Sequence, residues 1–95
     1  MTVLVTGAGL IATHAAAALA ARREKIVFYD VAPNTSYIDL VMEGRPYAVE
    51  RGDILDMPNI LRTIEKHDVK GIVHTAAFLP ERARQNPSLC TRVNV

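Results

Sequence analysis

Gly7, Gly9 and Ala12 stand in the spacing G-x-G-x-x-A directly after the apolar run Val3-Leu4-Val5-Thr6, and Asp30 ends a second apolar run about 20 residues later. Small residues at that spacing act through the backbone. Gly7 lets the chain turn sharply off a strand, Gly9 lets a pyrophosphate approach the main chain, and Ala12 keeps the following helix close to the sheet. The free N–H groups of the first helical turn, at Leu10 and Ile11, then face the phosphates. Asp30 is placed to accept hydrogen bonds from both hydroxyls of an adenosine ribose. Its charge repels a 2′-phosphate, and Val31-Ala32 after it supply no arginine, so the pattern favours NAD over NADP. The same residues also fit a ligand-free tight turn and an exposed turn aspartate; the strand before, the helix after and the carboxylate downstream favour the cofactor.

Two further strand ends carry candidates. Gly52-Asp53-Ile54 places a second carboxylate where it can accept from an adenine amine, and a solvated loop aspartate beside a helix start fits nearly as well. Ile72-Val73-His74-Thr75-Ala76-Ala77 closes in small residues, and Thr75, Ala76 and Ala77 would let a cofactor lie against the backbone or would simply pack closely. His14, His67 and His74 stand on unrelated elements without ligand spacing. A packed or hydrogen-bonded His74 is therefore expected in preference to a general acid or base, for which geometry is the first requirement.

The elements that must position these residues alternate. Val3 to Thr6, Ile26 to Tyr29, Tyr47 to Glu50 and Gly71 to Thr75 have the β-branched and aromatic composition of buried strands. Leu10 to Arg23 reads as a helix rich in Ala and Leu, its terminal Arg22-Arg23 complementing the helix dipole. Asp56 caps a helix from Met57 to about His67, with Pro58 in its first turn and Ile60, Leu61 and Ile64 on one face. Asn34 to Ser36 offer caps for a short helix through Met42, ended by Gly44 and Pro46, although a loop fits too. After the fourth strand, residues 80–87 are polar and punctuated by proline, and 88–95 read as the start of another helix. This alternation predicts an α/β fold: the N-terminal half of a Rossmann-type, doubly wound parallel sheet of about four strands, forming one domain over residues 1–95.

Composition narrows the partners. Eleven basic against ten acidic residues give a net charge of +1, and the basic residues are scattered, so no electrostatic case for nucleic acid arises. The single Cys90 excludes an internal disulfide, no Cys/His spacing would hold zinc, and a cytoplasmic setting is expected. The Ala-rich stretch 15–21 is too short to span a bilayer.

Taken together, the residues resemble the extended short-chain dehydrogenase/reductases, specifically the NAD-dependent epimerase/dehydratase family that acts on nucleotide sugars. Val5-Thr6-Gly7-Ala8-Gly9-Leu10-Ile11 resembles the family's phosphate loop, Tyr29-Asp30 its ribose-binding strand end, and Gly52-Asp53-Ile54 with Asp56 its adenine-binding segment. Val73-His74-Thr75-Ala76-Ala77 is similar to its His-x-Ala-Ala strand end, and Gln85-Asn86-Pro87 through Val93-Asn94-Val95 to its Asn-Pro and Val-Asn-Val signature. One departure lies in the loop, where the family has G-x-x-G-x-x-G and this chain has one residue fewer between its glycines. The resemblance implies NAD as cofactor, with Gly7, Gly9, Leu10, Ile11, Asp30, Asp53, Ile54, Thr75, Ala76 and Ala77 as its seat. It also implies hydride transfer on a nucleotide sugar or similar hydroxy substrate. The family's catalytic Tyr-x-x-x-Lys has no counterpart: Lys25, Lys66 and Lys70 follow Ala21, Arg62 and Lys66 by four residues. A cofactor-binding portion of a longer enzyme is thus expected, the alternative being a non-catalytic NAD-binding or sensing module. The apolar fourth strand, Ile72-Val73, would leave an unpaired edge and predicts a homo-oligomer.

Overall fold

The computed structural model describes residues 1–75. Within them the order is β1 (Thr2–Thr6), α1 (Leu10–Ala21), β2 (Lys25–Asp30), α2 (Thr35–Met42), β3 (Ala48–Arg51), α3 (Met57–His67) and β4 (Val69–His74). The strands form one parallel sheet in the order β3-β2-β1-β4. This is the N-terminal half of a Rossmann-like sheet, as the alternation predicted.

Strand alternation splits the core into two layers. Val3, Val5, Ile26 and Phe28 point to one face, where Ala12 and Ala16 of α1 and Ile38 and Met42 of α2 cover them. Leu4, Val27 and Tyr29 point to the other, under Ile60 and Ile64 of α3. With both faces covered, β1 and β2 read as continuous apolar runs. The alanines of α1 let that helix lie close to the sheet, and Phe28 meets Tyr47 edge to face at a centroid distance of 5.6 Å.

Several boundaries differ from the expectation. Residues 35–42 form the short helix expected there and not its loop alternative: the Asn34 carboxamide accepts from the Tyr37 N–H at 3.1 Å, and the helix ends at Glu43, one residue ahead of Gly44, in the left-handed conformation. α1 stops at Ala21, because Arg23 turns left-handed (φ 68°), so Arg22-Arg23 lie just past its last turn. β4 begins at Val69, two residues early, and β3 begins one residue late at Ala48. The Asp56 cap holds, accepting from the Asn59 N–H at 3.2 Å. Leu61, however, is exposed, and Thr63 takes the buried place between Ile60 and Ile64. No helix among the described residues is long and apolar enough to cross a membrane.

Candidate functional site

The four strand-end segments singled out in the sequence meet along the carboxyl edge of the sheet, joined by a row of main-chain hydrogen bonds. The Gly52 N–H donates to the Asp30 carbonyl at 3.1 Å and the Gly7 N–H to the Tyr29 carbonyl at 2.8 Å. At the other side the Thr75 N–H donates to the Thr6 carbonyl at 3.0 Å, and the Thr75 hydroxyl donates to the same oxygen at 2.6 Å. The loops after β3, β2, β1 and β4 are therefore tied into one ledge in that order. A parallel sheet directs its ligand-binding loops to this edge.

At the centre of the ledge, Gly7 has φ 98°, a conformation that a side chain would strain. Gly9 is the residue before α1, and no side chain caps the helix there. Among the described residues no side chain accepts from the early N–H groups of α1, and free donors at a helix N-terminus suit an anion. A β-carbon added to Gly9 would meet nothing within 4 Å. The space over Gly9 is open, as close approach of a phosphate would require. Leu10 and Ile11, 65% and 76% exposed, present apolar side chains beside it. Below, the fully buried Thr13 hydroxyl donates to the Gly9 carbonyl at 2.7 Å and reaches the Ala8 carbonyl at 3.3 Å, pinning the loop to the helix. Thr13 was not singled out in the sequence; a lone hydroxyl inside an alanine run was the available signal.

Asp30 is half-buried at the end of β2. Its Oδ1 accepts from the Ala32 N–H at 3.3 Å, and among the described residues no donor meets its second carboxylate oxygen. Asp53 is exposed, and its Oδ1 accepts from the Leu55 N–H at 2.9 Å, which shapes the turn into α3. Ile54 packs against the Leu4–Tyr29 layer instead of standing free. The loop carrying both is held from beneath by Tyr29: its buried hydroxyl donates to the Asp53 carbonyl at 2.8 Å and accepts from the Asn59 side-chain amide at 3.0 Å. Burial is the main reason the Tyr29 hydroxyl is harder to ionise than an ordinary phenol.

His74 is hydrogen-bonded, as expected: its Nδ1 lies 2.7 Å from the Thr6 hydroxyl. That contact and the Thr75 bonds fix the end of β4 to the end of β1. Ala76, Ala77 and the Asn-Pro and Val-Asn-Val segments lie outside the described residues.

No curated protein matches the chain. The family model described as the NAD dependent epimerase/dehydratase family matches residues 3–95, and the chain belongs to that family.

Proposed function

We propose that this chain is the cofactor-binding domain of an NAD-dependent epimerase or dehydratase, and that the ledge at the carboxyl edge of the sheet seats NAD. The observation that carries the reading is the uncapped N-terminus of α1 under the open space at Gly9, with the Asp30 carboxylate ending the neighbouring strand. The parts suit a dinucleotide. Backbone donors and a helix N-terminus favour a pyrophosphate, and a carboxylate with an unused oxygen accepts from ribose hydroxyls and disfavours a 2′-phosphate. Leu10 and Ile11 cover the loop side, Asp53 and Ile54 border the position of the adenine, and Thr75 continues the surface beyond β4; Ala76 and Ala77 are assigned to the seat on the sequence alone.

When bound, the nicotinamide supplies the hydride acceptor for oxidation of a substrate hydroxyl, the step family members use on nucleotide sugars or similar substrates. The residues here bind and orient. The 95 residues contain no Tyr-x-x-x-Lys, so the role assigned to them is the seat and not the acid/base chemistry.

Calorimetric titration of the chain with NAD and with NADP tests the reading, with Asp30→Ala beside it. Saturable binding that prefers NAD, and loses that preference in the variant, is the expected result. A folded sample that binds neither nucleotide overturns it.

A further inference from the structure

A cavity of about 630 Å³ lies at the opposite edge of the sheet, at the amino ends of β1 to β3. Its origin is a mismatch in strand length. β2 begins at Lys25, but β3 joins it only at Ala48, opposite Val27. Gly44 (φ 81°) turns the chain after α2, and Pro46 can give no N–H to a ladder, so two residues of β2 run past the start of β3. The Lys25 N–H donates to Met1 on the β1 side, and the Asp30 carbonyl accepts on the β3 side. Strand alternation therefore turns the Ile26 N–H toward the notch, where β3 has not yet begun.

The lining has two characters. Ala20, Ile26, Val27, Pro46, Tyr47 and Ala48 give an apolar floor, while Arg23, Lys25 and Arg45 surround it with cations. The nearby carboxylates are already engaged. Glu24 is bound by the terminal ammonium of Met1 at 2.6 Å, and Glu50 by Lys66 and His67, each at 2.8 Å. Among the described residues, Arg23, Lys25 and Arg45 have no carboxylate partner.

We propose that this notch is a second ligand site, for a small organic anion that carries a phosphate or carboxylate on an apolar body. Three cations without counter-ions around one mouth supply charge-assisted hydrogen bonds, and the floor supplies area for the body. The volume lies within the range of small-molecule pockets, about 300 to 1,000 Å³, which favours a compact ligand over an extended acidic polymer. The site is independent of the ledge that seats the nucleotide.

The test is a titration of the ¹⁵N-labelled chain, followed by amide chemical shifts, with phenyl phosphate as probe and inorganic phosphate and benzyl alcohol as its two separated halves. Phenyl phosphate is expected to give saturable shifts at the amides of residues 23–27 and 47–48, unaffected by NAD. Each half should bind at least about tenfold more weakly, and Lys25→Ala with Arg45→Ala should weaken phenyl phosphate by about tenfold or more. The thermal midpoint of the double variant reports that it is folded, and the single variants serve where it is not. Shifts centred on Gly9 to Ala12 and displaced by NAD, variants that bind as the parent does, equal affinity for inorganic phosphate, or no saturable shift with any probe would each overturn the proposal.

Discussion

The Tyr29 hydroxyl donates to the Asp53 main-chain carbonyl at 2.8 Å from a side chain that is 1% exposed, so a buried strand residue holds an exposed loop in place. The same hydroxyl accepts from Asn59, and a β-carbon on Gly52 would overlap both the hydroxyl and the Asn59 amide. Tyr29→Phe keeps the ring and removes the strut. Asn59 retains its bond to the Arg51 carbonyl at 3.3 Å, so the expected loss is about 1 kcal/mol by urea unfolding, together with weaker NAD binding through a loosened Asp53–Ile54 loop. Gly52→Ala should cost more, about 1 to 3 kcal/mol, because the Tyr29 ring is packed in the core and cannot yield freely.

Gly7 and Gly9 separate conformation from ligand access. Gly7 sits at φ 98°, and alanine there should destabilise the fold by about 1 to 2 kcal/mol through backbone strain alone. Gly9 has φ −85° and open space where a β-carbon would be, so Gly9→Ala should leave the unfolding midpoint nearly unchanged. It should nevertheless weaken NAD binding by tenfold or more, since the added methyl occupies the approach of the pyrophosphate. Thermal melts with and without NAD check both halves; a Gly9→Ala chain that binds NAD as the parent does removes the phosphate from this position.

The sheet was legible because its strands are buried on both faces and its loops carry their own chemistry. Val3 to Val5 and Ile26 to Tyr29 are uninterrupted apolar runs for that reason. Thr35 to Met42 was ambiguous because eight residues bury only Ile38 and Met42, too few to show a period, and its left-handed terminus falls on Glu43 as well as Gly44. The early end of α1 was hidden by Arg23, whose left-handed backbone has no glycine to announce it. The Tyr29 strut joins residues 24 and 30 positions apart, and no local pattern encodes such a pairing. What the sequence did carry was a general demand, since a buried tyrosine must find a partner for its hydroxyl.

Tyr47 and Asp39 tie β3 to α2 by a hydrogen bond from the phenol to the carboxylate. That bond, aided by desolvation, pushes the Tyr47 phenol up to about 12. The folded state therefore holds this proton more tightly than the unfolded chain does. The contribution is fully present below about pH 10 and is lost as pH rises through 12. Ultraviolet titration should show one tyrosine ionising near 12, and Asp39→Asn should bring it down. An unchanged titration in the variant would assign the shift to burial instead.

Glu50 on β3 accepts from Lys66 and from His67 at the end of α3, both at 2.8 Å, and these bonds hold its carboxyl below the usual range. A depressed carboxyl stabilises the fold above its unfolded value, here 4.5, and the contribution fades as pH falls through the lower folded value. Lys66 is 63% exposed and Glu50 partly so, and solvent screening limits the pair to about 1 kcal/mol or less. Urea midpoints of the parent and Glu50→Gln should consequently differ at pH 7 and converge toward pH 3 as the carboxyl is protonated. Because Glu50 clasps the end of α3 beside the notch, Glu50→Gln should also release Lys66 and His67 from their carboxylate partner and raise the positive potential there. Phenyl phosphate binding is then expected to strengthen in the variant at neutral pH, and an unchanged affinity would confine anion recognition to Arg23, Lys25 and Arg45.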